Sequence, residues 1–393
     1  MKYVAVLLLL AWPYIDLGVA LPLGPWNFNA PLADLFALAL APLALVWLKE
    51  RQLPPGAPGY AALLGAGLAG ALACDDRGAA LHELVRKPLF FGVAYGLGFT
   101  ALAARWRAST TIHTGLLVAV AACAAISWTT SLGRIVAGDA LWFQAIEGIT
   151  NNHKTLAVAM APALPLLWAW TPESPPPGRL GATRRLVVGV VAFAVLAIVL
   201  SVSRTAWITV AVGAAFFVTW GGRALSERKT LVPGLILVGV LAATYGPIVT
   251  GSLTQLDALR SRHSLDKRSW RLFVESPLVG SGPGAGLRVE VATFPDYRVN
   301  GVDAHGVVQK VASEYGLIGL FGYGAFVLAM ARRLRERHTP GDGRWPSFVA
   351  LHTNLLLSTE TFSQTHWALL AVTLGLSLAD DAPAPSAPPH GSA

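Results

Sequence analysis

Apolar residues gather in runs of roughly 17–20 along almost the whole chain, each long enough to cross a hydrocarbon layer about 30 Å thick. Polar clusters separate them. Read at helical length, the runs predict about twelve helices, at 2–20, 31–48, 58–74, 88–104, 110–130, 154–170, 186–202, 206–221, 231–249, 315–331, 346–359 and 365–379. The first run carries Lys2 ahead of it and Pro13 and Asp16 inside it; with no small-residue cleavage site, it reads as a span, not as a signal peptide. One stretch breaks the rhythm. "DAHGVVQKVASEYGLIGL", residues 303–320, begins as a polar loop and ends as a membrane helix. On a helix, His305, Gln309, Ala312 and Gly316 share a stripe. A polar, small face of this kind is expected to turn toward protein or a wet cavity and away from lipid.

Composition agrees with the pattern. The chain is 54% hydrophobic and 13% charged, where a soluble protein carries about a quarter charged residues. The fold class expected is an all-α polytopic membrane protein. Residues 1–379 form one transmembrane domain with a long outer loop at 250–314, followed by a low-complexity, disordered tail at 380–393. Residues 171–185 read as a Pro-rich linker. Cys74 and Cys123, far from any histidine cluster, imply no metal site and no disulfide.

Charge sets the orientation. With the N-terminus in the cytoplasm, Lys49 and Arg51, Arg105 and Arg107, Arg179 to Arg185, Arg223 to Lys229 and Arg332 to Arg344 all fall inside, as short loops require. The outer loop is also basic, with Arg260, Arg262, Lys267, Arg268, Arg271, Arg288, Arg298 and Lys310. Solvated charge balanced by nearby carboxylates explains this, and so does an anionic ligand on the outer surface.

Candidate chemistry collects on that face. In "LSVSRTAW", Arg204 sits at a tight turn between two apolar runs, where it either snorkels to headgroups or clamps a phosphate with its planar fork. In "SLDKRSWRLFVESPLVGSGPGAGL", Arg268, Trp270 and Arg271 make a short amphipathic piece. It leads into a glycine turn of Gly280, Gly282, Gly284 and Gly286, which lacks the Lys-Ser/Thr ending of a nucleotide loop. His305 stands where the chain re-enters the membrane, and a neutral imidazole there can take a proton from a sugar hydroxyl. "TNNHKTLA" brings Lys154 to the same face, as a snorkelling residue or as a sugar or phosphate contact.

Together and in this order, "NNHKTLA", "SRTAW", the basic loop with "PLVGSGPG", and "AHGVVQKVASEYGLIGL" resemble the O-antigen ligase and polymerase superfamily, over roughly residues 150–330. The resemblance implies Arg204, Arg268 and His305 as catalytic residues, with Arg262, Arg271, Lys154 and Gln309 as substrate contacts. Arg268 lies about one helical turn closer to Pro277 than the family pattern has it, which leaves Arg262 and Arg271 as alternative equivalents. Glu314 and Gly316 match the family's E-x-G, while Gly306 stands where the family has asparagine. The implied donor is a glycan on undecaprenyl pyrophosphate, and the implied acceptor is the lipid A core, at the periplasmic face of a bacterial inner membrane. The arginines would neutralise the departing pyrophosphate in an inverting displacement that needs no metal and no cofactor. Membrane lipids are the expected surroundings, and no nucleic-acid partner is expected. Rival readings are an O-antigen or exopolysaccharide polymerase, a protein O-oligosaccharyltransferase and, from another class, a lipid-linked glycan transporter, which would carry its charges at mid-membrane depth.

Overall fold

In the computed structural model, the described residues are 18–23, 26–49, 53–98, 100–101, 109–136, 159–170, 180–200, 203–220, 256–288, 291–294, 297–299, 306–339, 341–358 and 364–379. Helix dominates them. Its segments are α1 (Leu32–Lys49), α2 (Ala57–Ala73), α3 (Arg77–Leu84), α4 (Ser109–Val136), α5 (Leu164–Ala169), α6 (Leu180–Leu200) and α7 (Arg204–Trp220). Then come α8 (Leu256–Glu275), the short α9 (Ala285–Arg288), α10 (Val307–Glu336), α11 (Arg344–Leu357) and α12 (Gln364–Ala379). Among the described residues, two are long and apolar enough to cross a membrane, Thr110–Thr129 and Val307–Glu336, with shorter apolar helices at Ala37–Val46, Ala57–Ala73 and Thr205–Thr219.

The apolar runs foretold most of these helices and misplaced some edges. Helix α3 starts at Arg77, well before residue 88. Asp76 caps it, accepting from the Ala79 N–H at 3.1 Å, and Glu83 pairs with Lys87 at 2.9 Å. This polar first part does not register as a span by hydropathy. It continues as a wider π winding over Val85–Leu97, around Pro88, whose missing N–H excludes a regular α turn. The expected linker at 171–185 is shorter too, because α6 already begins at Leu180. Two hairpins depart from the all-α expectation: β1 (Gly18–Leu23) with β2 (Trp26–Pro31), and β3 (Val291–Phe294) with β4 (Tyr297–Val299). The first replaces the end of the helix expected at 2–20. The rest of that span, the span at 231–249, residues 154–158 and the tail at 380–393 lie outside the described residues.

The core joins α2 to α10 almost backbone to backbone. A Cβ on Gly59 would stand 2.6 Å from the Gly322 carbonyl oxygen, and one on Gly322 would stand 2.6 Å from that of Gly59. Gly67 faces the ring of Tyr315, which is fully buried. Small residues at a helix crossing let dispersion contacts hold helices together where lipid offers no hydrophobic drive. Elsewhere Gly213 of α7 packs against Pro165 and Ala350, tying α7 to α5 and α11.

Candidate functional site

The long helix α10 is broken. Gly316 has φ 64° and ψ −163°, a region that glycine alone occupies comfortably. The break leaves carbonyls without partners at the end of the first half and N–H groups without partners at the start of the second. The glycine turn after α8 fills both sets. Ser281 and Gly282 donate to the carbonyls of Ser313 and Glu314 at 2.9 and 3.2 Å, and Leu317 and Ile318 donate to the carbonyls of Pro277 and Leu278 at 2.8 and 3.1 Å. Gly280 lies directly on the Glu314–Tyr315 peptide, and Gly316 lies on the backbone of Leu278. Gly70 of α2 and Glu83 of α3 close on the turn from the other side, against Val279 and Gly284. The two glycine motifs noted in the sequence are thus the two halves of one lock.

That lock fixes three buried charges. Glu314, in the last turn before the break, is 1% exposed, Lys310 is 2% and Arg268 is 6%. The Lys310 ammonium is 3.9 Å from a Glu314 carboxylate oxygen. Arg268 comes from α8, which the lock holds in place through the Ser281 hydroxyl donating to the Leu272 carbonyl at 2.8 Å. Gly286 brings the groups together: a Cβ there would sit 3.4 Å from an Arg268 Nη and 3.7 Å from a Glu314 oxygen. A buried carboxylate is stable only with close cationic or hydrogen-bonding partners, and here two cations are at hand. Two positive groups and one negative group leave this buried cluster with a net positive charge.

The buried polar face of α10 is therefore Lys310, Ser313 and Glu314, not the stripe through Gln309 and Ala312 that the period suggested. Gln309 is exposed, and Ser313 bonds back to the Gln309 carbonyl at 2.8 Å. Arg271 points away from the buried group, into an exposed pair with Glu275 at 2.8 Å. Arg262 lies in α8 and Arg204 opens α7, with their side chains outside the described part; His305 and Lys154 lie outside it entirely.

The immediate neighbours of Arg204 and His305 nonetheless bind to adjacent residues. The Thr205 hydroxyl donates to the Leu357 carbonyl at 3.4 Å, and the Gly306 N–H donates to the Ser358 carbonyl at 2.9 Å. Both chain segments therefore anchor on consecutive residues at the end of α11. Gly306 has φ 96°, and a Cβ on it would stand 2.7 Å from the Leu356 carbonyl oxygen. An L side chain at this position would be strained at this φ and has no room. One turn further on, Lys310 donates its N–H to the Gly306 carbonyl at 3.1 Å, so the same half-helix joins this corner to the buried charges. Lys310 and Glu314 are the contributors that the sequence left among loop charges. Their i, i+4 spacing and the E-x-G match were the available signals.

The described residues are largely helical, with two helices long and apolar enough to cross a membrane, one of them broken at Gly316 beside a buried group of two cations and a carboxylate. Residues 189–324 match the family described as O-antigen ligase. The match runs from α6 through the break in α10 and includes Arg204, Arg268, the glycine turn, Glu314 and Gly316. Over this segment the chain is similar to the O-antigen ligase family. No curated protein matches the chain.

Proposed function

We propose that the protein is an O-antigen ligase of the bacterial inner membrane, working at the periplasmic face. It transfers a polysaccharide from undecaprenyl pyrophosphate to the lipid A core oligosaccharide. The acceptor hydroxyl attacks the anomeric carbon, the bond from that carbon to the phosphate oxygen breaks, and undecaprenyl pyrophosphate leaves with the electron pair. His305 receives the hydroxyl proton. Arg204 and Arg268 stabilise the charge that builds on the leaving group, so no metal is required. One direct displacement inverts the anomeric centre. Arg262, Arg271, Lys154 and Gln309 are assigned to substrate binding, Arg271 and Gln309 from exposed positions.

The observation that carries this reading is the buried group of Arg268, Lys310 and Glu314 inside the matched segment. A surplus of guanidinium and ammonium over carboxylate in this group suits the charge of a diphosphate leaving group. The bonds from Thr205 and Gly306 to the consecutive carbonyls of Leu357 and Ser358 support placing Arg204 and His305 on one acceptor site. The test is reconstitution in liposomes with a lipid-pyrophosphate glycan, in EDTA and without ATP. Lipid A core, a second lipid-linked repeat unit and a protein acceptor are offered separately. Glycosylated lipid A core is the expected product. Chain elongation identifies a polymerase, a modified protein identifies an oligosaccharyltransferase, and turnover that returns only on adding a divalent ion refutes the arginine scheme.

A further inference from the structure

The outward side of α8 does not look like a loop surface. Its inward stripe, Leu265, Arg268, Ser269 and Leu272, is buried. The opposite stripe, one helical period away, ends in Trp270 at 66% and Val274 at 58% exposure, followed directly by Leu278 at 62%. This apolar strip continues into another. The Leu278 carbonyl accepts from the Ile318 N–H, and beyond Ile318 the second half of α10 exposes Phe321 at 74% and then Leu328. That half belongs to one of the two helices long and apolar enough to span a bilayer. Such a helix turns its exposed Ile318–Phe321–Leu328 side to lipid, and the strip on α8 joins the top of that side without a polar gap.

We infer that the last two turns of α8 and the residues through Leu278 rest in the outer membrane–water interface, with Trp270, Val274 and Leu278 as the anchors. A tryptophan at the end of an apolar strip, flanked by long charged side chains, is the arrangement that interfacial belts use. The charges on this face are Asp266, Lys267, Arg271 and Glu275, and they cancel. The partner is therefore the bilayer interface itself, held by apolar and aromatic contact, and not an anionic headgroup. The consequence is geometric: the membrane surface fixes the height of α8, and the opposite stripe then holds Arg268 at headgroup level.

The test uses the full chain in nanodiscs of zwitterionic lipid. Cys74 and Cys123 are first replaced, and single cysteines are introduced as Trp270→Cys, Val274→Cys and Leu278→Cys. Phe321→Cys serves as the lipid reference and Glu336→Cys as the water reference. All five side chains are exposed, so the core is untouched. Each cysteine carries a nitroxide, and collision with oxygen is compared with collision with a water-soluble nickel chelate. The expected result is an oxygen-to-nickel ratio at 270, 274 and 278 close to that at 321. The ratio should not change when anionic lipid is added. A ratio equal to that at 336 overturns the inference. So does protection from both colliders, which means that protein covers the face, and so does burial that needs anionic lipid.

Discussion

Replacing Gly316 by alanine tests the lock directly. At φ 64° and ψ −163°, an L residue costs about 1–3 kcal/mol in backbone strain alone. The new Cβ would also lie 2.6 Å from the Gly280 nitrogen and closer still to the Leu278 backbone, which has no flexible end to swing aside. Relief requires the turn to move off α10, and then the bonds donated by Ser281, Gly282, Leu317 and Ile318 are lost, each with a net contribution of about 1 kcal/mol. The variant should lose on the order of 3 kcal/mol or more, about a hundredfold in the equilibrium between the locked and open turn. Hydrogen–deuterium exchange of the purified protein reads this at those four amides, and thermal unfolding reads the total. Gly324→Ala is the control on the same helix. A Cβ there meets nothing within 4 Å, so alanine should be neutral or slightly stabilising by helix propensity. Unchanged protection at Ser281, Gly282, Leu317 and Ile318 in Gly316→Ala would refute the reasoning.

Three further outcomes follow from the site. Arg204→Lys keeps the charge and loses the fork, so transfer should fall sharply at equal membrane abundance; wild-type transfer would show that Arg204 only snorkels. His305→Ala should slow single-turnover transfer by roughly 10²–10⁴-fold while donor affinity holds. Full activity in His305→Gln would reduce the histidine to a hydrogen-bonding positioner, and loss of donor binding in His305→Ala would make it a phosphate ligand. Glu314→Gln preserves shape and removes the buried negative charge facing Lys310 and Arg268, which should cost about 3–5 kcal/mol of stability. An unaltered unfolding transition would mean that the two cations are neutralised elsewhere.

Local rules were enough to read much of this protein from its sequence. Helical periodicity and apolar run length located the helices between residues 31 and 220 and again beyond 315, because a bilayer demands long, continuously apolar segments. The ordered motifs from "SRTAW" to "GLIGL" marked the segment that the family match also covers. Polar helix starts such as Arg77–Lys87 escaped, since a hydropathy window sees only their charge. The tertiary structure decided what depends on distant contacts. Whether residues 307–336 form one straight helix or two halves is settled by Pro277–Gly282, which supply partners for the backbone groups freed at Gly316. The burial of Lys310 and Glu314 and the separation of Arg268 from Arg271 follow from how that turn seats α8. Thr205 and Gly306, about a hundred residues apart, are brought to neighbouring points because they donate to the consecutive carbonyls of Leu357 and Ser358 at the end of α11. Sequence periodicity carries the period of an element, but not its rotation against a neighbour, and at this site the rotation selects which charges are buried.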